Sequence, residues 1–176
     1  MPTRLLIEGR PGVGKTTAIR RLAALLPARD VSGFTTEEIR LGGTRVGFAL
    51  ETFTGDHAVL AHVDFPGPPR VGRYGVDLDV MERLALPTLE AAVRDASAGQ
   101  LVLVDELGRM ELACSPFREG VRSLFAADVD VVATVHAHHD PFTDALKRRT
   151  DVELLQITPA NRDAVPEELA TRFRSG

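Results

Sequence analysis

The stretch that most limits what this chain can fold into is residues 8–22, EGRPGVGKTTAIRRL. Gly9 is followed, after four residues, by Gly14, Lys15 and Thr16, the spacing of a loop whose backbone N–H groups cradle phosphates. Each residue type has a physical task there. Gly9, Gly12 and Gly14 permit the dihedrals that turn several N–H groups inward, with no Cβ to hold phosphate oxygens away. Pro11 stiffens the loop. A helix beginning near Lys15 aims its unsatisfied N–H groups and positive dipole end at the same anion. Lys15 reaches the β- and γ-phosphates, and Thr16 offers its hydroxyl to Mg²⁺, which prefers oxygen ligands and keeps several waters on a nucleotide.

Such a loop must leave a buried strand and open an amphipathic helix. RLLIE (4–8) is a short apolar run ended by a glycine. Ala18, Ile19, Leu22, Leu25 and Leu26 recur at helical spacing before Pro27 stops the helix.

LVLVDELGRMEL (101–112) supplies the second half of a site. Four apolar residues followed by Asp105 read as a fully buried strand whose carboxyl end emerges beside the phosphate loop, where ligands of open α/β sheets bind. Asp105 is expected to hold Mg²⁺, through a water. Glu106, next to it, is placed to accept a proton from, or orient, a water in line with the γ-phosphate, which makes it the candidate catalytic carboxylate beside Lys15.

Between and beyond these motifs, apolar runs of strand length alternate with helical patterns, the signature of a parallel sheet covered by helices. Residues 33–65 interrupt the alternation with three extended stretches joined by Gly42-Gly43 and Thr54-Gly55-Asp56, an antiparallel meander added to the edge of the parallel core. FPGPPRVGRYG (65–75) reads as an ordered loop, and Pro87 predicts a break or kink between DVMERLA and TLEAAVRDA. No internal repeat or low-complexity segment is visible.

At 176 residues and 44% hydrophobic, the chain can bury one substantial core, so one domain over 1–176 is expected. Cys114 is the single cysteine, so there is no internal disulfide, which fits a reducing cytoplasm. No run approaches the roughly 18 apolar residues of a bilayer span, and MPTRLLIEG reads as a strand entering the loop rather than a signal peptide. A net charge of -4 argues against a nucleic-acid partner, although LKRRT (146–150) clusters three cations.

Other polar residues carry two readings each. Thr134, ending VDVVATV, is either a sensor of the γ-phosphate or a packed strand end. His136, His138 and His139 resemble a metal cluster, but no recognised zinc spacing completes them, and a solvated loop explains them equally. Arg148 and Arg149 either stabilise charge on the transferring phosphoryl group, from this chain or a neighbour, or form an exposed cationic helix end. Tyr74 either stacks on a base or plugs the meander against the core. Glu111 either folds back to assist Glu106 or pairs with an arginine such as Arg109 or Arg40; Glu37 and Glu38 have no assignable role.

Taken together, GRPGVGKTT, GFTTEEIR, GTRVGF, RVGRYGVD, VDELGRMEL and TPANRD resemble the nucleoside-triphosphatases of the thermophilic THEP type, a family with a human cancer-related relative. The phosphate loop is generic to many NTPases; the Asp-Glu-x-Gly-x-Met-Glu and Gly-Phe-Thr-Thr-Glu-Glu runs are far more specific. The resemblance implies a RecA-like, mostly parallel sheet and Mg²⁺-dependent hydrolysis of several nucleoside triphosphates with little base discrimination. Carried over by position, it implies nucleotide contacts at Gly9, Arg10, Pro11, Gly12, Val13, Gly14, Lys15, Thr16 and Thr17. The second implied segment is Leu101, Val102, Leu103, Val104, Asp105, Glu106, Leu107 and Gly108. Two alternatives stay open at this point: a small-molecule or nucleotide kinase, and a nucleotide-gated interaction module. The oligomeric state is unreadable.

Overall fold

Strands of a parallel core are covered on both faces and so read as unbroken apolar runs. Leu5, Leu6 and Ile7 make such a run, as do Leu101–Val104 and Val131–Ala133, and all are buried. The computed structural model describes residues 1–174. The chain runs β1 (Arg4–Glu8), α1 (Lys15–Ala24), β2 (Asp30–Leu41), β3 (Thr44–Thr52), β4 (His57–His62), β5 (Arg70–Val71) and β6 (Tyr74–Val76). A helical stretch follows, α2 (Leu78–Val80), a π-helical turn (Met81–Ala85) and α3 (Leu86–Arg94). Then come β7 (Gln100–Leu107), α4 (Arg109–Leu112), α5 (Ser115–Ala126), β8 (Asp130–Val135), α6 (Pro141–Lys147), β9 (Glu153–Gln156) and α7 (Val165–Arg174).

Among the described residues these strands form one sheet in the order β5-β6-β4-β3-β2-β7-β8-β1-β9. The pairs β2–β7, β7–β8, β8–β1 and β1–β9 are parallel; those from β2 outward through β3, β4, β6 and β5 are antiparallel. Alternation along each parallel strand splits the interior in two. Leu6, Val102, Val104 and Ala133 face a core shared with the π-helical turn, α3 and α5. Leu5, Ile7, Leu101, Leu103 and Val132 face a core shared with α1 and α7. An edge-to-face contact between Phe34 and Phe117, with ring centroids 5.7 Å apart, ties β2 to α5.

The antiparallel meander is present, with two differences from the sequence reading. Its first strand is also a member of the parallel core: Asp30–Phe34 pair with Gln100–Val104, and the rest of β2 runs on to pair with β3. Gly33 makes the close approach possible. At φ +107 it lies so near β7 that a Cβ would stand 1.9 Å from the Leu103 carbonyl oxygen. The second difference is that residues 65–75 are more than a loop: β5 and β6 fold there as a small hairpin that extends the sheet beyond β4. Its strands are only two and three residues long, too short for alternation to be seen against the surrounding Pro and Gly.

Pro87 does disturb its helix, but without breaking it. Lacking an N–H, it cannot complete the preceding turn, and the ladder is re-phased upstream as the π-helical turn Met81–Ala85 before α3 resumes. Among the described residues no helix is long and apolar enough to cross a membrane.

Candidate functional site

The carboxyl ends of β1, β7 and β8 and the middle of β2 converge beside the N-terminus of α1. Gly14 caps that helix at φ 110, ψ 26. No side chain caps it and no acidic residue sits in its first turn, so its leading N–H groups remain available to an anion. Pro11, Gly12, Gly14, Lys15 and Thr16 line one wall of a cleft of about 610 Å³, whose other wall includes Asp105, Glu106 and the outer face of β2 and β3.

Lys15 is buried, and its Nζ donates to the Gly9 carbonyl at 2.6 Å. The same Nζ lies 3.3 Å from Glu106 Oε2, an ion pair without hydrogen-bond geometry, and that oxygen is buried with no hydrogen-bond partner. Glu106 thus faces the Lys15 ammonium group.

Asp105 is almost fully enclosed. Thr16 Oγ1 donates to its Oδ2 at 2.6 Å, the Thr36 N–H reaches the same oxygen at 3.4 Å, and Thr134 Oγ1 donates to Oδ1 at 2.7 Å. Burial pushes its pKa above the ordinary carboxylate value, reinforced by the Glu106 charge and opposed by the bonds from Thr16 and Thr134. A hydroxyl and a carboxylate at hydrogen-bond distance, the latter enclosed and short of positive charge, are the hard oxygen donors that suit Mg²⁺.

Glu111 folds back under this pair. Its carboxylate accepts from the backbone N–H groups of Glu111 and Gly108, and it pairs with neither Arg109 nor Arg40. Burial raises its pKa well above the ordinary range, and the charges of Glu106 and Asp105 raise it further.

The loop residues Pro11, Gly12 and Thr17 are exposed and line the cleft, and Arg10 is exposed without lining it, whereas Val13 is packed into the core with α1. Leu101, Val102, Leu103 and Val104 are buried on the two faces of β7 and present no side chain to the cleft; they deliver Asp105. Asp105 does not end the strand. β7 continues through Glu106 to Leu107, with a cis peptide between Asp105 and Glu106 and a shift in its pairing with β8. Leu107 is core, and Gly108 packs against Glu106 and Glu111.

Of the residues with two readings, Thr134 is the buried donor that orients Asp105. Tyr74 is a plug, buried edge-on against Phe48 with its hydroxyl accepting from Arg45 Nε at 2.9 Å. Arg149 is committed to Asp151 and to the Phe125 carbonyl. Asp151 also pairs with Arg4 at the amino end of β1, opposite the phosphate loop, so Arg149 cannot serve this chain's own site. Arg148 is exposed at the end of α6. His139 pairs with Asp144, and among the described residues no group of three metal-ligating side chains occurs. His136 is buried with both ring nitrogens unpartnered. Burial lowers its pKa, although Glu106 and Asp140 pull the other way.

Two participants escaped the sequence. Thr36 on β2 reaches Asp105 through a backbone N–H, which no side-chain pattern encodes. Arg162 lies against the phosphate loop, with Nη1 3.4 Å from the Val13 carbonyl, from 149 residues away in the chain. The tail TPANRD held the signal in sequence but not the place.

Known proteins agree with this arrangement. A family model described as NTPase matches residues 4–170. The nucleoside-triphosphatase THEP1 of Thermotoga petrophila is 43% identical over 166 residues, 94% of this chain and 90% of that protein. The THEP1 of Thermotoga maritima is 42% identical over 175 residues, 98% of each chain. The crystal structure of THEP1 from Aquifex aeolicus superposes with a TM-score of 0.90 at 34% identity, covering 97% of this chain and 99% of that one. The solution structure of a human cancer-related nucleoside triphosphatase gives 0.84 at 33% identity, over 99% and 98%. By sequence over nearly its whole length and by fold, the chain belongs to the THEP1 family of nucleoside-triphosphatases.

Proposed function

We propose that the chain, as one nucleotide-hydrolysing domain over 1–176, cleaves the γ-phosphate anhydride of several nucleoside triphosphates in the presence of Mg²⁺, giving the diphosphate and inorganic phosphate. The observation that carries this reading is Glu106: a carboxylate on the strand beside Asp105, with one oxygen facing Lys15 and free of hydrogen bonds.

The loop from Gly9 to Thr17 holds the triphosphate through its N–H groups and the N-terminus of α1. Lys15 exchanges its contact with Glu106 for the β- and γ-oxygens. Thr16 and, through a water, Asp105 would hold the metal, with Thr36 and Thr134 fixing the Asp105 carboxylate. When bound, Mg²⁺ neutralises charge on the β- and γ-phosphates. Glu106, released from Lys15, takes the proton of a water as its oxygen bonds to the γ-phosphorus and the bond to the β-phosphate oxygen breaks. Leu101–Val104, Leu107 and Gly108 support these groups from the core. The single free cysteine, Cys114, is buried, in keeping with a cytoplasmic setting.

Phosphate release from nucleoside triphosphate with Mg²⁺ and no added acceptor tests the reading and separates it from a kinase or a pure binding module. Glu106→Gln keeps the shape and leaves Lys15, Thr16 and Asp105 in place, so release is expected to fall by about a hundredfold to ten-thousandfold while nucleotide affinity stays within a few-fold. Release at the parental rate would place the catalytic carboxylate elsewhere.

A further inference from the structure

We infer that Arg162 is the platform on which the nucleoside base stacks, and that this contact makes the site hold all bases alike. The inference rests on the nucleotide-hydrolysing reading above and adds the subsite which that reading lacks.

The segment after β9 is fastened along the phosphate loop. Gln156 pairs with Glu8, the Ile157 N–H donates to the Glu8 carbonyl at 2.8 Å, and a Cβ on Gly9 would stand 2.6 Å from Ile157 Cγ2. The chain then turns at Thr158, where the Arg162 N–H donates to the Thr158 carbonyl at 2.9 Å. This brings the Arg162 stem across Gly14, its Cδ 3.7 Å from where a Cβ would be, and sets Nη1 against the Val13 carbonyl.

Two features decide what Arg162 meets. Nη1 is directed at a backbone carbonyl, that of Val13, and not at the loop's N–H groups, so the guanidinium stands apart from the donors that take the phosphates. Direction supplies the other. With the γ-phosphate between Lys15, Thr16 and Asp105, the loop N–H groups take the α- and β-phosphates, and the nucleoside leaves past Gly12–Gly14, the side that Arg162 flanks. Arg162 is exposed, and among the described residues no carboxylate pairs with it. A planar guanidinium stacks on any aromatic ring.

The amide of the same segment is engaged within its own turn. Asn161, the amide beside Arg162, spends Oδ1 on the Thr158 N–H at 2.7 Å and Nδ2 on the Gln156 carbonyl at 2.8 Å. A face-on contact from Arg162 with no free amide next to it binds purine and pyrimidine rings without distinguishing them.

Calorimetric titration of the Mg²⁺ complexes of ADP, GDP, CDP and UDP, and of inorganic tripolyphosphate, into the parent protein, Arg162→Ala and Arg162→Lys tests this independently of hydrolysis. Arg162→Ala is expected to weaken all four diphosphates by about tenfold or more and to leave tripolyphosphate within about twofold, the latter also showing that the loop is intact. Arg162→Lys is expected to remain close to the alanine variant, because a point charge lacks the stacking plane. The inference is overturned by unchanged diphosphate affinity, by an equal loss for tripolyphosphate, by recovery in the lysine variant, or by loss for one base alone. Phosphate release could fail its own test with this binding pattern intact, so the two outcomes are distinguishable.

Discussion

At the scale of single residues, the site is a group of carboxyls that the fold encloses before any ligand arrives. Asp105 and Glu111 are both held above their ordinary pKa by burial, with the Glu106 charge adding to each. A carboxyl with a raised folded-state pKa contributes stability that is fully present below its unfolded value and is lost as pH rises through the folded value. Glu111→Gln removes this titration while keeping an acceptor for the Gly108 N–H. The urea midpoint of the variant, relative to the parent, is therefore expected to rise as pH climbs above the ordinary glutamate value of 4.5. The comparison between the two proteins cancels the surface carboxylates that act oppositely, such as Glu153, whose pKa Arg172 lowers. A constant difference across that range would show that Glu111 titrates normally. Sequence could place Lys15, Thr16, Asp105 and Glu106 side by side at this scale because their proposed roles follow from spacing within a motif. It could not choose between folding back and pairing for Glu111, or between sensing and packing for Thr134, because each choice depends on which strand lies next to which.

At the scale of elements, the junction between β2 and β7 carries both architecture and chemistry, since one strand brings Thr36 to Asp105 and the other brings Asp105 and Glu106. Gly33→Ala should damage it in two ways. An alanine is strained at φ +107, and its Cβ would collide with the Leu103 carbonyl. Gly55→Ala separates these effects, because Gly55 lies at φ +97 with nothing within 4 Å of the added atom. Gly55→Ala is expected to cost about 1–3 kcal/mol, the strain alone, while Gly33→Ala adds an overpacking cost of about 1–3 kcal/mol or prevents folding. Equal urea midpoints for the two variants would mean that the strands separate easily. The phosphate-loop strand, α1, the turns at 42–43 and 54–56 and the disturbance before Pro87 were legible because apolar period, glycine and proline act locally. The hairpin of β5 and β6 was not: its five strand residues owe their pairing to β4 and to the buried Tyr74.

At the scale of the whole molecule, the cleft opens at the carboxyl ends of the parallel strands, where the chain alternates between strand and loop and leaves a crevice. Asn161, the amide beside Arg162, is committed within its own turn, and no guanine-reading motif ends a strand. The values of kcat/KM for ATP, GTP, CTP and UTP are accordingly expected to lie within about tenfold of one another, against the far larger discrimination of sites that hydrogen-bond a substrate edge. Steady-state phosphate release with each triphosphate measures this, and a hundredfold preference would contradict it. By itself the sequence determined the phosphate loop, the strand that carries Asp105 and Glu106, and the α/β class, because a glycine-rich turn, an unbroken apolar run and a helical period are written in neighbouring residues. Tertiary structure alone decided that β2 joins the parallel core, that Thr36 and Thr134 hold Asp105, that Glu111 lies beneath Glu106, and that Arg162 rests on the phosphate loop. Thr134, Thr36 and Arg162 reach their partners across 29, 69 and 149 positions, a proximity set by strand order and by the packing of two cores against one sheet, and a linear pattern carries neither.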